Sequence, residues 1–320
     1  MGGYIVDGSA KTMGKNDKLS TRVKRFLVHN WQLWLLLLPA LVWLIVFCYA
    51  PMYGVQIAFK DYKVKLGITG SPWAGLKYFK QFFNTSIAVK SIRNTLLLSL
   101  FSLLWCFPIP IGFALLLNML RNQKYKKFVQ TISFAPHFVS TVVVVTMMNI
   151  MFAPSNGWVN KIITSLGFNE VLFMTRPEYF RSMYIGSNLW QDMGFNAIVY
   201  IAALAGVSPE LHEAAIVDGA SKFKRLIHID IPCIMPTVII MFILSVGNLF
   251  SVGYEKAYLM QGSLNTEVSE IISTYVYKVG LQGAQYSFSS AVGLFNSVVN
   301  LILLLTVNTI SRKVSETSLF

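Results

Sequence analysis

Six runs with almost no charge, each about as long as a bilayer is thick, constrain this chain more than any other feature. A helix crossing the hydrocarbon core needs about 20 consecutive, mostly apolar residues. The runs at 33–53, 94–120, 129–152, 184–207, 233–253 and 289–310 each supply that length. Five hold no Asp, Glu, Lys or Arg, and the fourth holds a single acid, Asp192. Within lipid only a helix or a closed barrel satisfies its own backbone polar groups, and runs of this length predict helices. Composition agrees: 13% of residues are charged, against roughly 25% in soluble domains. Such a chain cannot cover a water-facing surface, which excludes most cytosolic enzymes and any disordered scaffold. The expected fold is an all-α integral membrane protein of six transmembrane helices, with a basic tail over 1–30 and a membrane domain over 31–320.

Charge then sets orientation. Lys and Arg total 27 against 14 Asp and Glu, a net charge of +13. A basic excess of this kind suggests nucleic acid only when it lies on a soluble fold; here the cations flank apolar runs, as cytoplasmic loops do. With the tail inside, the cytoplasmic segments hold 15 of the 27 cations, six of them in the tail (Lys11, Lys15, Lys18, Arg22, Lys24 and Arg25). Both termini are expected in the cytoplasm, and no nucleic acid partner is expected. The tail has no apolar core within its first 25 residues, so a retained first span is expected rather than a cleaved signal peptide. Trp31, Trp34, Tyr49 and Tyr53 suit the interfaces of that span.

Other local signals are weaker. Pro39, Pro51, Pro108, Pro110 and Pro136 fall inside or beside spans, and Pro108-Ile109-Pro110 is expected to kink the second. The stretch SPWAGLKYFKQFF alternates aromatics with lysines, which predicts an interfacial helix over 76–83. Cys48, Cys106 and Cys233 lie in or beside apolar runs without a CxxC pair, and are expected to be small buried hydrophobes. No His, Cys and carboxylate spacing predicts a metal site, and no paired acids or Ser/His/Asp set predicts an enzyme.

The most informative segment is 207–236, VSPELHEAAIVDGASKFKRLIHIDIPCIMP. Ser208 can cap a helix, Pro209 suits its first turn, and Glu210 complements its positive end. Gly219 can take a positive φ and end that helix. A second short helix is expected over 221–228, and Ile231-Pro232 is expected to stop it and turn the chain back into the membrane. The product is two short helices around a small elbow, Asp218-Gly219-Ala220, with Glu213 as a fixed negative charge and Lys222, Lys224 and Arg225 as a basic face. That is the form of a docking knob. His212 and His228 flank it and are expected to be solvated, with a coupling contact left open for His212.

Here the chain resembles the binding-protein-dependent ABC importer permeases. Glu213-Ala214-Ala215, Asp218-Gly219-Ala220, Ile229 and Ile231-Pro232 look like that family's EAA motif, with Gly219 four residues after Ala215 and Pro232 thirteen after Gly219. The lead-in Tyr200-Ile201-Ala202-Ala203-Leu204, with Gly75-Leu76-Lys77-Tyr78-Phe79 and Asn94-Thr95-Leu96, is similar to the carbohydrate subfamily of maltose and glycerol-phosphate type. Ser311-Arg312-Lys313 and the end Ser315-Glu316-Thr317-Ser318-Leu319-Phe320 look closest to LplB-type polysaccharide permeases. The resemblance covers about residues 25–320. It implies a multi-pass protein of the bacterial plasma membrane that imports oligosaccharides. Its implied partners are a second homologous permease, an ATPase dimer, an extracellular solute-binding lipoprotein and membrane lipids. Glu213, Ala214, Ala215, Asp218, Gly219, Ala220, Phe223 and Pro232 would form the ATPase-coupling segment. No cofactor is implied in this chain; ATP and Mg would be held by the partner ATPase, and the sequence has no GxxxxGK[ST] phosphate loop. The same machinery importing a glycerol-phosphate compound or a peptide stays open, as does, more remotely, a membrane enzyme or scaffold.

Polar residues inside spans are costly, and they mark candidate pathways. In the maltose-type relatives sugar contacts come partly from the spans on either side of the EAA segment. That selects Asn188, Gln191, Asp192, Phe195 and Tyr200 in the fourth span, and Ser245 and Asn248 in the fifth. Asn188, Asp192 and Phe195 share a helical face by spacing, and Phe195 and Tyr200 offer rings for a sugar to stack on. The competing reading is that these side chains are glue between helices. The same reading is the expected one for Asn296, Asn300 and Asn308, and for His137.

Overall fold

The computed structural model describes residues 31–251 and 253–315. The basic tail and the last five residues of the quoted C-terminal motif lie outside the described residues. Except for one isolated antiparallel bridge, Lys60 to Trp73, every described element is helical. Four helices are long and apolar enough to cross a membrane, and two bent helix pairs bring the total to six.

The first unit, ending at Gln56, is one helical path. Helix α1 (Trp31–Leu44) carries Pro39 inside it and passes into a π-turn, Ile45–Tyr49. A helical turn, Ala50–Met52, follows, and Pro51, which has no N–H to give inside a continuing helix, sits just after the π-turn. The side chains of α1 are apolar and exposed, as suits a helix in hydrocarbon.

The second unit runs from Ile57. Its first full helix, α2 (Lys77–Phe83), lies where an interfacial helix was expected. It does not merely rest at a surface: Phe82 is buried against Phe288 and Phe295. The Tyr78 hydroxyl and the Lys77 ammonium both donate to Asp61 and hold its carboxyl below the ordinary carboxylate range.

Helices α3 (Ser86–Cys106) and α4 (Pro108–Asn118) form the second span. The proline pair interrupts the helix at Phe107, yet the two pieces remain one path of 33 residues. The third apolar run is a correction. Helix α5 (Gln123–Phe134) ends in a 3-10 turn, Ala135–Phe138, and α6 (Thr141–Met151) leaves at 98°. Pro136 removes a backbone donor, and Ser140 caps the new helix by accepting from Val143 N at 3.4 Å. Run 129–152 is therefore two helices meeting at 98° rather than one straight helix.

Helix α7 (Trp158–Ser165) leads to α8 (Pro177–Ala205), the 29-residue fourth span. Its backbone is pressed onto α5: a Cβ added at Gly194 would fall on the Ser133 carbonyl and 2.8 Å from the Ser133 Cβ. A bend of 69° follows, then α9 (Pro209–Val217).

The fifth span holds a second correction. Helix α10 (Lys222–Arg225), a π-turn Leu226–Asp230 and α11 (Ile231–Gly247) form one helix of 26 residues. Ile231-Pro232 does not stop it. A proline inside a helix must free the carbonyl four residues back, and the π-turn widens the coil there, so the pyrrolidine ring fits without a break.

Beyond α11 the chain makes α12 (Tyr254–Leu259), a turn at Thr266–Ser269 and α13 (Ile272–Tyr277) before the last span, α14 (Tyr286–Ser315). Span two anchors this connector: Asn94 donates to the carbonyls of Glu267 (2.8 Å) and Glu270 (3.1 Å), and Ile272 N donates to Thr95 Oγ1 at 2.9 Å. Asn265, wholly buried, donates to the Met174 and Met260 carbonyls and accepts from Gly262 N and Ser269 Oγ. Asn296 and Asn300 hold the backbone of Phe250 at the end of span five, a packing role. The cysteines are unpaired; Cys48 and Cys233 are exposed rather than buried, Cys48 within a stretch whose residues are all exposed.

Candidate functional site

Helices α3, α4, α8 and α11 enclose a cavity of about 300 Å³. Its polar wall comprises Ser99, Ser102, Asn188, Asn196, Tyr200, Ser245 and Asn248, and Tyr184 and Phe107 supply ring surface. Most hydroxyls in these spans are satisfied along their own helix, as Ser245 is by donating to the Met241 carbonyl at 2.8 Å. Ser99 and Ser102 differ: their hydroxyl oxygens are buried and have no hydrogen-bond partner among the described residues. Asn248 gives its amide hydrogen to the Leu244 carbonyl at 3.1 Å, leaving its side-chain oxygen as acceptor. The wall thus combines dispersed donors and acceptors with aromatic faces, the pattern of a site for a neutral or weakly charged polar molecule.

Four sequence-selected residues, Asn188, Tyr200, Ser245 and Asn248, meet on this wall. The other three do not line it. Gln191 is buried, donates to the Val139 carbonyl at 2.8 Å and accepts from Lys256 Nζ at 3.3 Å. Asp192 pairs with His137 Nδ1 at 2.8 Å, and the His137 ring stacks on Phe195 with centroids 3.7 Å apart. The face shared by Asn188, Asp192 and Phe195 is divided between two neighbours: Asn188 meets the connector, and the other two meet the break in span three. Ser99, Ser102 and Lys256 were missed by sequence reasoning. The serines had a weak signal, hydroxyls in a charge-free span; the lysine had none, since its burial depends on where the connector packs.

At the other end of α8 lies the elbow. Ser208 caps α9 by accepting from Glu210 N at 3.3 Å. Gly219 takes φ +76°, with Ala220 N donating to the Ala215 carbonyl at 2.8 Å and Gly219 N to that of Ile216 at 3.0 Å. That paired closure, which needs the left-handed residue, is a Schellman motif. Ser221 then caps α10. The elbow presents apolar side chains to the outside: Val217 is 88% and Phe223 64% exposed, beside exposed Ala214 and partly exposed Ala215 and Ala220. Glu213 lines a second cavity, of about 460 Å³, with His212, Lys222, Arg225 and Asp230. His212 is not simply solvated: its Nε2 lies 3.3 Å from Oδ1 of buried Asp230. That is ion-pair distance, though not hydrogen-bond alignment, for Asp230 Oδ1 has no hydrogen-bond partner. The contact ties α9 to the π-turn of the fifth span's helix. Pro232 lies within the long helix, away from the elbow's exposed surface. Among the described residues no group of His, Cys, Asp and Glu is placed to hold a metal ion.

Comparison with known proteins fits this arrangement. The family model for the binding-protein-dependent transport system inner membrane component matches residues 109–316. Protein LplB of Bacillus subtilis (strain 168) is 42% identical over 314 residues, 98% of either chain. The polygalacturonan/rhamnogalacturonan transport system permease protein YteP of the same organism is 39% identical over 294 residues, 92% of either chain. Among solved structures, a bacterial ABC transporter involved in the import of the acidic polysaccharide alginate superposes with a TM-score of 0.85 at 39% identity, over 92% of this chain and 99% of that one. The same score and identity hold for a bacterial alginate ABC transporter in complex with an alginate pentasaccharide-bound periplasmic protein, over 93% and 100% of the two chains. With a family model spanning more than half its length and near full-length relatives above 30% identity, the chain belongs to the binding-protein-dependent transport system inner membrane components, the permeases of ABC importers.

Proposed function

We propose that this chain is the permease subunit of an ATP-driven importer of oligosaccharides or polysaccharide fragments. The observation that carries the reading is that two helices, α8 and the Lys222–Gly247 helix, each connect the polar cavity at one end to the elbow at the other. The elbow and both termini face the cytoplasm, and the cavity, lined by α8 from Tyr184 to Tyr200 and by the last turns of α11, lies toward the external side. A six-span chain supplies half of a pore, so a second homologous permease completes it. An ATPase dimer receives the two elbows, Glu213 pairing with one of its basic residues and Ala214, Ala215, Ala220 and Phe223 seating in its groove. ATP and Mg stay with that partner, and this chain needs no cofactor. An extracellular solute-binding lipoprotein delivers the sugar. Closure of the ATPase dimer draws the elbows together, α8 and α11 tilt, and the cavity exchanges one side of the membrane for the other. Sugar hydroxyls meet Asn188, Ser245 and Asn248 while Tyr200 offers a ring face.

The reading is tested by extracting tagged protein from its native membrane in mild detergent and identifying what co-purifies. Recovery of a second six-span permease and an ATPase is expected, and Glu213→Lys should lose the ATPase and transport while keeping the permease in the membrane. A chain that emerges alone, or a Glu213→Lys variant with full uptake, overturns the assignment.

A further inference from the structure

Resting on the sugar-import reading, we infer that Lys256 makes the cavity selective for sugar chains that carry carboxylates, acting through Asn188 as a positioning residue. Lys256 comes from α12, in the connector outside the spans, and is only 5% exposed. Its Nζ donates to Asn188 Oδ1 at 2.7 Å and to Gln191 Oε1 at 3.3 Å, and it sits 5.9 Å from the centroid of the Tyr184 ring. Asn188 and Tyr184 are both cavity wall, so the ammonium lies one side chain behind it.

Three features separate this lysine from ordinary glue. First, an ammonium is an extravagant way to bond two amide oxygens. Burying a charge costs far more than burying a neutral donor, unless an opposite charge is brought to it. Secondly, among the described residues no carboxylate lies within ion-pair distance of it. Asp192, on the same helix as Asn188, acts on the ammonium only from a distance; its own close contact is with His137 at 2.8 Å. Thirdly, no charged side chain lines the cavity itself, so nothing on the wall competes with the field of Lys256. Because the ammonium holds Asn188 Oδ1, the remaining polar group of that side chain is its NH2, a donor. A carboxylate arriving with the sugar accepts from Asn188 and from the unpartnered Ser99 and Ser102 hydroxyls, and brings a counter-charge closer than Asp192 stands. A neutral sugar finds the same donors and no electrostatic gain.

The test uses the complete importer with its binding protein in proteoliposomes, and two probes: tetragalacturonate, and the same tetramer with its carboxyl groups reduced to neutral hydroxymethyls. Wild type, Lys256→Gln and Lys256→Arg are compared by initial ATP-dependent uptake. Each ratio to wild type is taken with the same binding protein, so delivery cancels. Lys256→Gln keeps a donor and removes the charge; its uptake of the uronate should fall at least tenfold while uptake of the neutral tetramer stays within twofold. Lys256→Arg should restore the uronate. Loss of both probes to the same degree makes Lys256 a structural residue and overturns the inference, as does loss of neither. If Lys256→Gln does not assemble, Gln191→Glu, which neutralises the same ammonium from a buried position that does not line the cavity, should give the same selective loss. Wild-type complex that takes up neither probe and shows no stimulated ATP hydrolysis defeats the sugar-import reading itself, and the inference with it.

Discussion

Adding one methyl group at Gly194 should loosen the joint between spans three and four. In the structure that Cβ would fall on the Ser133 carbonyl and 2.8 Å from its Cβ, where carbon atoms ordinarily sit about 3.5–4.0 Å apart. The obstruction is backbone, so no rotamer change relieves it; α5 and α8 must separate by about 1 Å. Overpacking of this kind costs about 1–3 kcal/mol. The helix-propensity gain of alanine over glycine returns up to about 1 kcal/mol, leaving a net loss of up to about 2 kcal/mol; Gly186→Ala has the same gain without the clash. Two residues upstream, the His137–Asp192 contact is 2.8 Å, and a separation of about 1 Å carries it beyond hydrogen-bonding range. Gly186 is the matched control, since it lies on the same helix with nothing within 4 Å of an added Cβ. Thermal unfolding of the purified permease in detergent is the assay. Gly194→Ala should lower the midpoint by a few degrees, and Gly186→Ala should leave it unchanged or slightly raised. Equal midpoints for the two variants would refute the close-approach argument.

Removing His212 takes away the ring nitrogen 3.3 Å from buried Asp230 Oδ1, so His212→Ala should cost about 1 kcal/mol and speed proteolysis within 209–217; the double variant with Asp230→Leu should recover much of the loss, and additive losses would deny that the two residues are coupled. Asn265→Ala strips four hydrogen bonds from a wholly buried site and should cost about 2–4 kcal/mol; hydrogen exchange should rise across 254–285 and not in the elbow, and a rise spread evenly over the chain would contradict that local role.

Hydropathy made the six runs legible because lipid selects on the composition of about 20 residues at a time. It misjudged where helices end, since α8 and the Lys222–Gly247 helix continue past their apolar stretches as charged or amphipathic coil. Nor does a window average register a break: Pro136 followed by the Ser140 cap turns the third run by 98° within an unbroken apolar stretch. Pro232 was misread for the opposite reason. Its rule is local and correct, but a π-turn four residues earlier removes the clash, and nothing in LIHID announces a π-turn. The elbow was legible residue by residue because Ser208, Pro209, Gly219 and Ser221 act on backbone within three or four positions. The cavity wall was half legible: in-span Asn and Ser are visible in sequence, whereas the connector that carries Lys256 to Asn188 is a long-range contact across 68 residues.

An uninterrupted helix from Lys222 to Gly247 is also a lever. At 1.5 Å per residue, the 22 residues separating Phe223 from Ser245 span about 33 Å, and a tilt of about 10° around the Phe223 end sweeps Ser245 sideways by about 6 Å. Had Pro232 broken the helix, a push at the elbow would have dissipated in a flexible joint. Since it does not, a small angular movement at one membrane face becomes a displacement wider than a water molecule at the cavity, and the stiffness of this one rod sets how faithfully that stroke is delivered.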